Sequence, residues 1–211
     1  MSLKINEYGR SMTEMLGVLA VIGVLSSGAL VGYSKAMYKY QMQKTVGFVS
    51  DAMLEYNLFL KKNFLGYPYE KDKMAENARN YGLLTECEPQ NSSLAGGSYQ
   101  VCKAPLGEIY PRFWVKKDVD GYKYNYMLYV TFLKNHRQAC SDFLSRNWDK
   151  VVQEKLWRKG RLWIVSGTKD EVLYGGTTHK LDLTNIADAC DDVCGGSGYC
   201  SVVFDFMGYK Y

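Results

Sequence analysis

Hydrophobic and polar positions divide the chain sharply. From Met15 to Ser34, between Glu14 and Lys35, 20 consecutive residues carry no charge. As a helix rising about 1.5 Å per residue, this run covers about 30 Å, the thickness of the hydrocarbon core of a bilayer. It is a candidate transmembrane segment. After Ser34 the pattern becomes amphipathic. Met42, Val46, Val49, Met53, Tyr56 and Leu60 recur at alternating steps of four and three, which marks one helical face. Lys39, Lys44, Asp51 and Glu55 fall off that face. No proline precedes Pro68, so one helix is predicted from about Ser11 to about Asn63. Its first half needs lipid or other subunits around it, and its second half offers a stripe to a folded head. A coiled coil is the competing use of that stripe, but the stripe ends before three heptads are complete.

The remainder alternates short strand-like and helix-like segments. "FLGYPYEKDK" reads as a loop and "MAENARNYGLL" as a short helix ended by Asn80–Gly82. Cys87 to Lys103 is turn-rich and reads as a loop stapled by a Cys87–Cys102 bridge. "IYPRFWVKKD" and "YKYNYMLYVTFLK" read as two strands turning at Asp120-Gly121. "HRQACSDFLSRNWDKVVQ" reads as a helix, "KGRLWIVSG" and "EVLYGG" as strands, "LTNIADAC" as a short helix, and "SVVFDF" as a last strand. The predicted class is α+β: a long N-terminal helix against an antiparallel sheet in a C-terminal head.

Composition refines this picture at two points. Net charge is +4, from 26 basic and 22 acidic residues, too mild an excess to imply nucleic acid. The 6 cysteines, Cys87, Cys102, Cys140, Cys190, Cys194 and Cys200, all lie beyond the apolar run. An even set of this kind favours disulfides in an oxidising compartment. Zinc is the rival, but the close spacings are C-x3-C and C-x5-C rather than a C-x2-C knuckle, and His136 and His179 are far apart. Locality favours Cys140–Cys190 and Cys194–Cys200. The basic residues after the run outnumber Lys4 and Arg10 before it, which taken alone would place the head in the cytosol. The cysteines argue for the other side and carry more weight.

Glu14 stands at the start of the apolar run, five residues after Gly9, and the leader "MSLKINEYG" is polar. This is no secretory leader, which would run from a basic start through an apolar core to a small-x-small site. The stretch from Gly9 through "LGVLAVIGVLSSGAL" to Tyr33 resembles the N-terminus of type IV pilins and type II secretion pseudopilins. The resemblance covers about 35 residues of 211. It implies a leader (1–9) removed after Gly9 by a prepilin peptidase, and methylation of the new N-terminus at Arg10. It implies a transmembrane and filament-core helix (10–34), an amphipathic continuation (35–63) and a disulfide-stapled head (64–211). It also implies that the Glu14 carboxylate pairs with the Arg10 amine of a neighbouring subunit and sets the register of a filament. Ser11-x-x-Glu14 is in addition a capping box, a role compatible with assembly.

The expected function is therefore that of a structural subunit polymerising into a pilus or pilus-like filament for adhesion, motility or uptake. Its partners would be copies of itself, other pilins, the peptidase and, before assembly, the inner membrane, with the head periplasmic. A pseudopilin of a type II secretion system and a monomeric membrane-tethered periplasmic binding module are the alternatives. No catalytic motif emerges, no cofactor is expected, and an enzyme is the least favoured class. Asp188, Asp191 and Asp192 lie beside glycines and could offer oxygen ligands to calcium from a loop, as in related major pseudopilins, although a solvated acidic turn describes them as well. "LWRKGRLW" could touch DNA phosphates and bases, but the same residues describe an ordinary strand with one charged face.

Overall fold

A computed structural model describes residues 12–62, 74–80, 82–94, 97–118, 121–133, 135–146, 148, 161–167, 169–174, 183–196 and 198–207. The chain divides into two compact units, residues 1–41 and 42–211.

Helix α1 spans Met12–Lys62, close to the predicted limits. Within the second unit its residues Met42, Thr45, Val49, Ala52 and Met53 are buried. The predicted stripe included Val46, which is only half-buried; Thr45 takes its place. The 3.6-residue period centred on Val49 sets Thr45 and Met53 on its own side of the helix.

Helix α2, Met74–Asn80, ends as expected. Gly82 sits at φ +78° and donates its N–H to Arg79 O at 2.9 Å, while Leu83 N–H reaches Ala78 O at 2.8 Å. Glycine adopts this left-handed conformation without a Cβ penalty. Leu84 also lies there, at φ 55°, where a branched side chain is disfavoured. Two contacts hold it. Its side chain is buried, and its N–H donates to Glu55 Oε2 at 2.6 Å, with Thr85 Oγ1 donating to Glu55 Oε1 at 3.2 Å. Glu55→Ala is expected to destabilise the head by about 1–3 kcal/mol, the range for a charge-assisted bond whose partner is left unpaired. Urea unfolding reads this loss, and faster amide exchange at Leu84 locates it.

The turn-rich stretch after Cys87 is not a loop. It forms an antiparallel hairpin, β1 (Pro89–Leu94) and β2 (Gly97–Ala104). Polar composition hides these strands because β1 lies at the sheet edge, where polar side chains are suited to solvent. Val101, Cys102 and Ala104 of β2 are the buried anchors. Strands β3 (Gly107–Asp118) and β4 (Gly121–Phe132) form the predicted long hairpin. A Cβ at Gly107 would run into the Thr131 carbonyl, so the close approach of β3 to β4 needs glycine there.

Helix α3 covers His136–Leu144 and is shorter than predicted. Its last carbonyls are taken locally: Ser145 Oγ donates to Ser141 O at 2.6 Å and Trp148 Nε1 to Phe143 O at 2.7 Å, which turns the chain back. Strands β5 (Arg161–Ser166) and β6 (Lys169–Tyr174) match expectation. Helix α4, Leu183–Cys194, runs a turn beyond the predicted "LTNIADAC". Ile186, Ala189, Cys190, Val193 and Cys194 keep the apolar period and are buried, which carries the helix on.

Strand β7 (Cys200–Met207) completes a sheet of order β1-β2-β3-β4-β7-β5-β6, antiparallel at every pairing. The last strand thus sits between β4 and β5. Registered pairs place Ile109, Val130, Val202 and Ile164 on one face, with Leu128, Phe204 and Leu162 beside them. Phe143 of α3 meets Phe132 and Phe204 edge-on, at ring distances of 5.5 and 6.2 Å, and Trp148 packs 5.4 Å from Phe204. This is the core of the head. The opposite face carries the stacked Tyr110–Tyr129 pair, 4.5 Å apart, and a buried Thr131–Ser201 hydroxyl bond of 2.7 Å.

Candidate functional site

The described part of the first unit is the N-terminal part of α1, and its large apolar side chains are exposed. Met15, Leu16, Val18, Leu19, Val21, Ile22, Val24, Leu25, Leu30 and Val31 are each more than half exposed. Burying one such side chain is worth about 1.5–3 kcal/mol, so the set leaves on the order of 20 kcal/mol unrealised in water. The segment is long and apolar enough to cross a membrane. Two of its three serines, Ser27 and Ser34, suit an apolar setting. Ser27 Oγ donates to Val24 O at 2.9 Å and Ser34 Oγ to Val31 O at 3.0 Å, so neither hydroxyl needs water as acceptor.

Glu14 lies in the first turn of α1, exposed, where its charge favours the positive end of the helix dipole. At about 100° per residue, Glu14, Gly17, Gly28 and Gly32 fall within about 60° of arc. Met15, Leu19, Ile22, Leu30 and Tyr33 lie on the opposite side. The same arc holds Val21, with Leu25 at its edge, and Gly23 lies on the opposite side, so the four glycines are spread along an apolar helix rather than gathered on one thin face. A Cβ added at Gly17, Gly28 or Gly32 would meet nothing within 4 Å. Nothing among the described residues therefore calls for glycine, although each costs the helix about 1 kcal/mol relative to alanine. The helix nonetheless continues unbroken past Gly28 and Gly32.

Gly9 and Arg10, the expected processing pair, lie outside the described residues, as does Ser11 of the capping box and His179. The cysteines come together in three pairs: Cys87 with Cys102, Cys140 with Cys190, and Cys194 with Cys200, at Cα separations of 5.4, 6.0 and 5.2 Å. These separations are ordinary for disulfides. The acidic calcium candidates require correction. Asp188, Asp191 and Asp192 are not on a loop but on exposed positions of α4. Among the described residues no group of three or more acidic side chains comes together at metal-ligand spacing. Of the basic aromatic stretch, residues 156–160 lie outside the described residues, while Leu162 and Trp163 are in β5 as the strand reading had it.

No family model, no curated protein and no solved structure matches this chain.

Proposed function

We propose that this chain is a pilin-like structural subunit, cleaved after Gly9, that polymerises through the N-terminal part of α1 into a pilus or pilus-like filament. The observation that carries this reading is the exposed apolar helix with one carboxylate at its start and with Gly17, Gly23, Gly28 and Gly32 along it, none of them in contact with another described part of the chain. Lipid alone would cover the apolar surface but gives no reason for the glycines. Close approach of another helix does, since small residues let backbones come together in an apolar medium. A neighbouring chain also supplies what lipid lacks, a cation for Glu14, here the amine of Arg10. In this reading the disulfide-bonded head stands outside the filament core, periplasmic before assembly and on the filament surface after it.

Shearing cells that express the chain tests the proposal. Filaments labelled by antibody against the head are expected in the sheared fraction by negative-stain microscopy. A chain found only as a monomer in membranes would instead be a tethered binding module. Filaments that appear solely in the periplasm would assign it to a secretion pseudopilus.

A further inference from the structure

Beside the Leu84 turn, α1 opens on a groove of about 260 Å³ whose walls include Phe48, Asp51, Leu54, Glu55, Leu84 and Glu86. That volume falls below the roughly 300–1,000 Å³ of small-molecule sites, and single side chains of another protein suit it better. Its floor is apolar and its rim acidic. Leu54 is 59% exposed and Phe48 is half-buried. Asp51 and Glu86 are exposed and have no partner among the described residues. Glu55 holds the turn through both oxygens, but a carboxylate has about four acceptor sites and keeps some of them.

Just beyond the apolar run stand Lys35 and Lys39, one turn apart, both exposed and likewise without a partner among the described residues. Asp51 and Glu55 repeat that one-turn spacing. Asp51 lies sixteen residues after Lys35, and Glu55 sixteen after Lys39. Side chains of one helix meet only three or four residues apart, so neither lysine reaches its acid within a chain.

We propose, resting on the filament reading above, that Lys35 and Lys39 of one copy dock on the acidic groove of a second, parallel copy displaced by sixteen residues along α1. A single displacement satisfies both pairs. The contact is heterologous: each copy turns its lysines to one neighbour and its groove to another, so the contact repeats along a filament instead of closing. The neighbour is a different one from that which supplies the Arg10 amine. In the membrane, anionic headgroups suit lysines placed directly after the apolar run. A subunit that leaves the membrane gives up those phosphates, and the groove replaces them. Exposed ion pairs add little affinity, so their role here is the choice of partner and register.

The test uses the full chain in cells, carrying Lys35→Cys and Asp51→Cys together, with a short bis-maleimide as linker. The native cysteines are all in disulfides, so the introduced thiols are its targets. Denaturing gels of sheared filaments are expected to show a ladder of multimers, which neither single variant should give. Lys35→Glu and Asp51→Lys should each lower filament yield about tenfold by bringing like charges together. Combining the two exchanges should restore the yield, a recovery that simple damage to helix or head would not allow. Filaments without the ladder, or no recovery in the double exchange, overturn this contact and leave the filament reading standing. A wild-type chain that forms no filament overturns both.

Discussion

Replacing Glu14 by alanine is expected to abolish filaments while the chain remains in the membrane. Glu14 stands in the first turn of α1, at the start of a run that carries no other charge before Lys35. In the proposed assembly its carboxylate neutralises the Arg10 amine of the next subunit inside an apolar core. Removing one partner of a buried ion pair leaves the other uncompensated and typically costs about 3–5 kcal/mol. Each added subunit would meet that loss, so polymer yield should fall by about 100-fold or more, since 1.4 kcal/mol is a factor of ten in an equilibrium constant. Insertion should persist, because the apolar run is untouched. Immunoblots of sheared and membrane fractions measure both quantities. Glu14→Gln, which keeps the hydrogen-bonding shape but not the charge, should also fail to assemble. Normal filaments from Glu14→Ala would remove the ion pair from the account.

The second large effect concerns the head. Converting Cys140 and Cys190 to serine opens a link across 50 residues of sequence. The chain-entropy relation assigns such a loop about 4 kcal/mol, against about 2 kcal/mol for the 6-residue separation of Cys194–Cys200. That is a large fraction of the stability of a typical domain. The Cys140/Cys190 variant should therefore unfold at clearly lower urea concentration than the Cys194/Cys200 variant, with a steeper slope because its unfolded chain is less constrained. Because α3 and α4 are joined through this bridge, the variant should also become sensitive to protease between Ser145 and Leu183.

Much of this architecture was legible because its signals are local. The uninterrupted helix followed from the absence of proline before Pro68 and from a change in hydrophobic period at Ser34. The β3–β4 hairpin followed from aromatic alternation around Asp120-Gly121. Pairing cysteines by locality gives the same partners that the structure brings to disulfide spacing. What escaped depended on tertiary neighbours. The β1–β2 hairpin was hidden because an edge strand needs few apolar residues once Val101 and Cys102 anchor it. The end of α3 depends on Trp148 folding back onto Phe143, which no periodicity announces. Glu55 read as a solvated charge, yet it holds the Leu84 turn. The convergence of Cys140, Cys194 and Cys200 needed the placement of β7 between β4 and β5, a feature of topology rather than of sequence pattern. The Glu14 site was legible as one residue, a spacing and the glycines of the apolar run; what the structure adds is that nothing among the described residues packs against those glycines.

The central claim is that this helix is processed and then packs against copies of itself. Mass spectrometry of the N-terminal peptide, from native membranes and from sheared surface material, tests it most directly. The account expects a mature chain beginning at Arg10, methylated or not, in both fractions. A chain that retains residues 1–9 would contradict it, since Arg10 would then offer no free amine to Glu14.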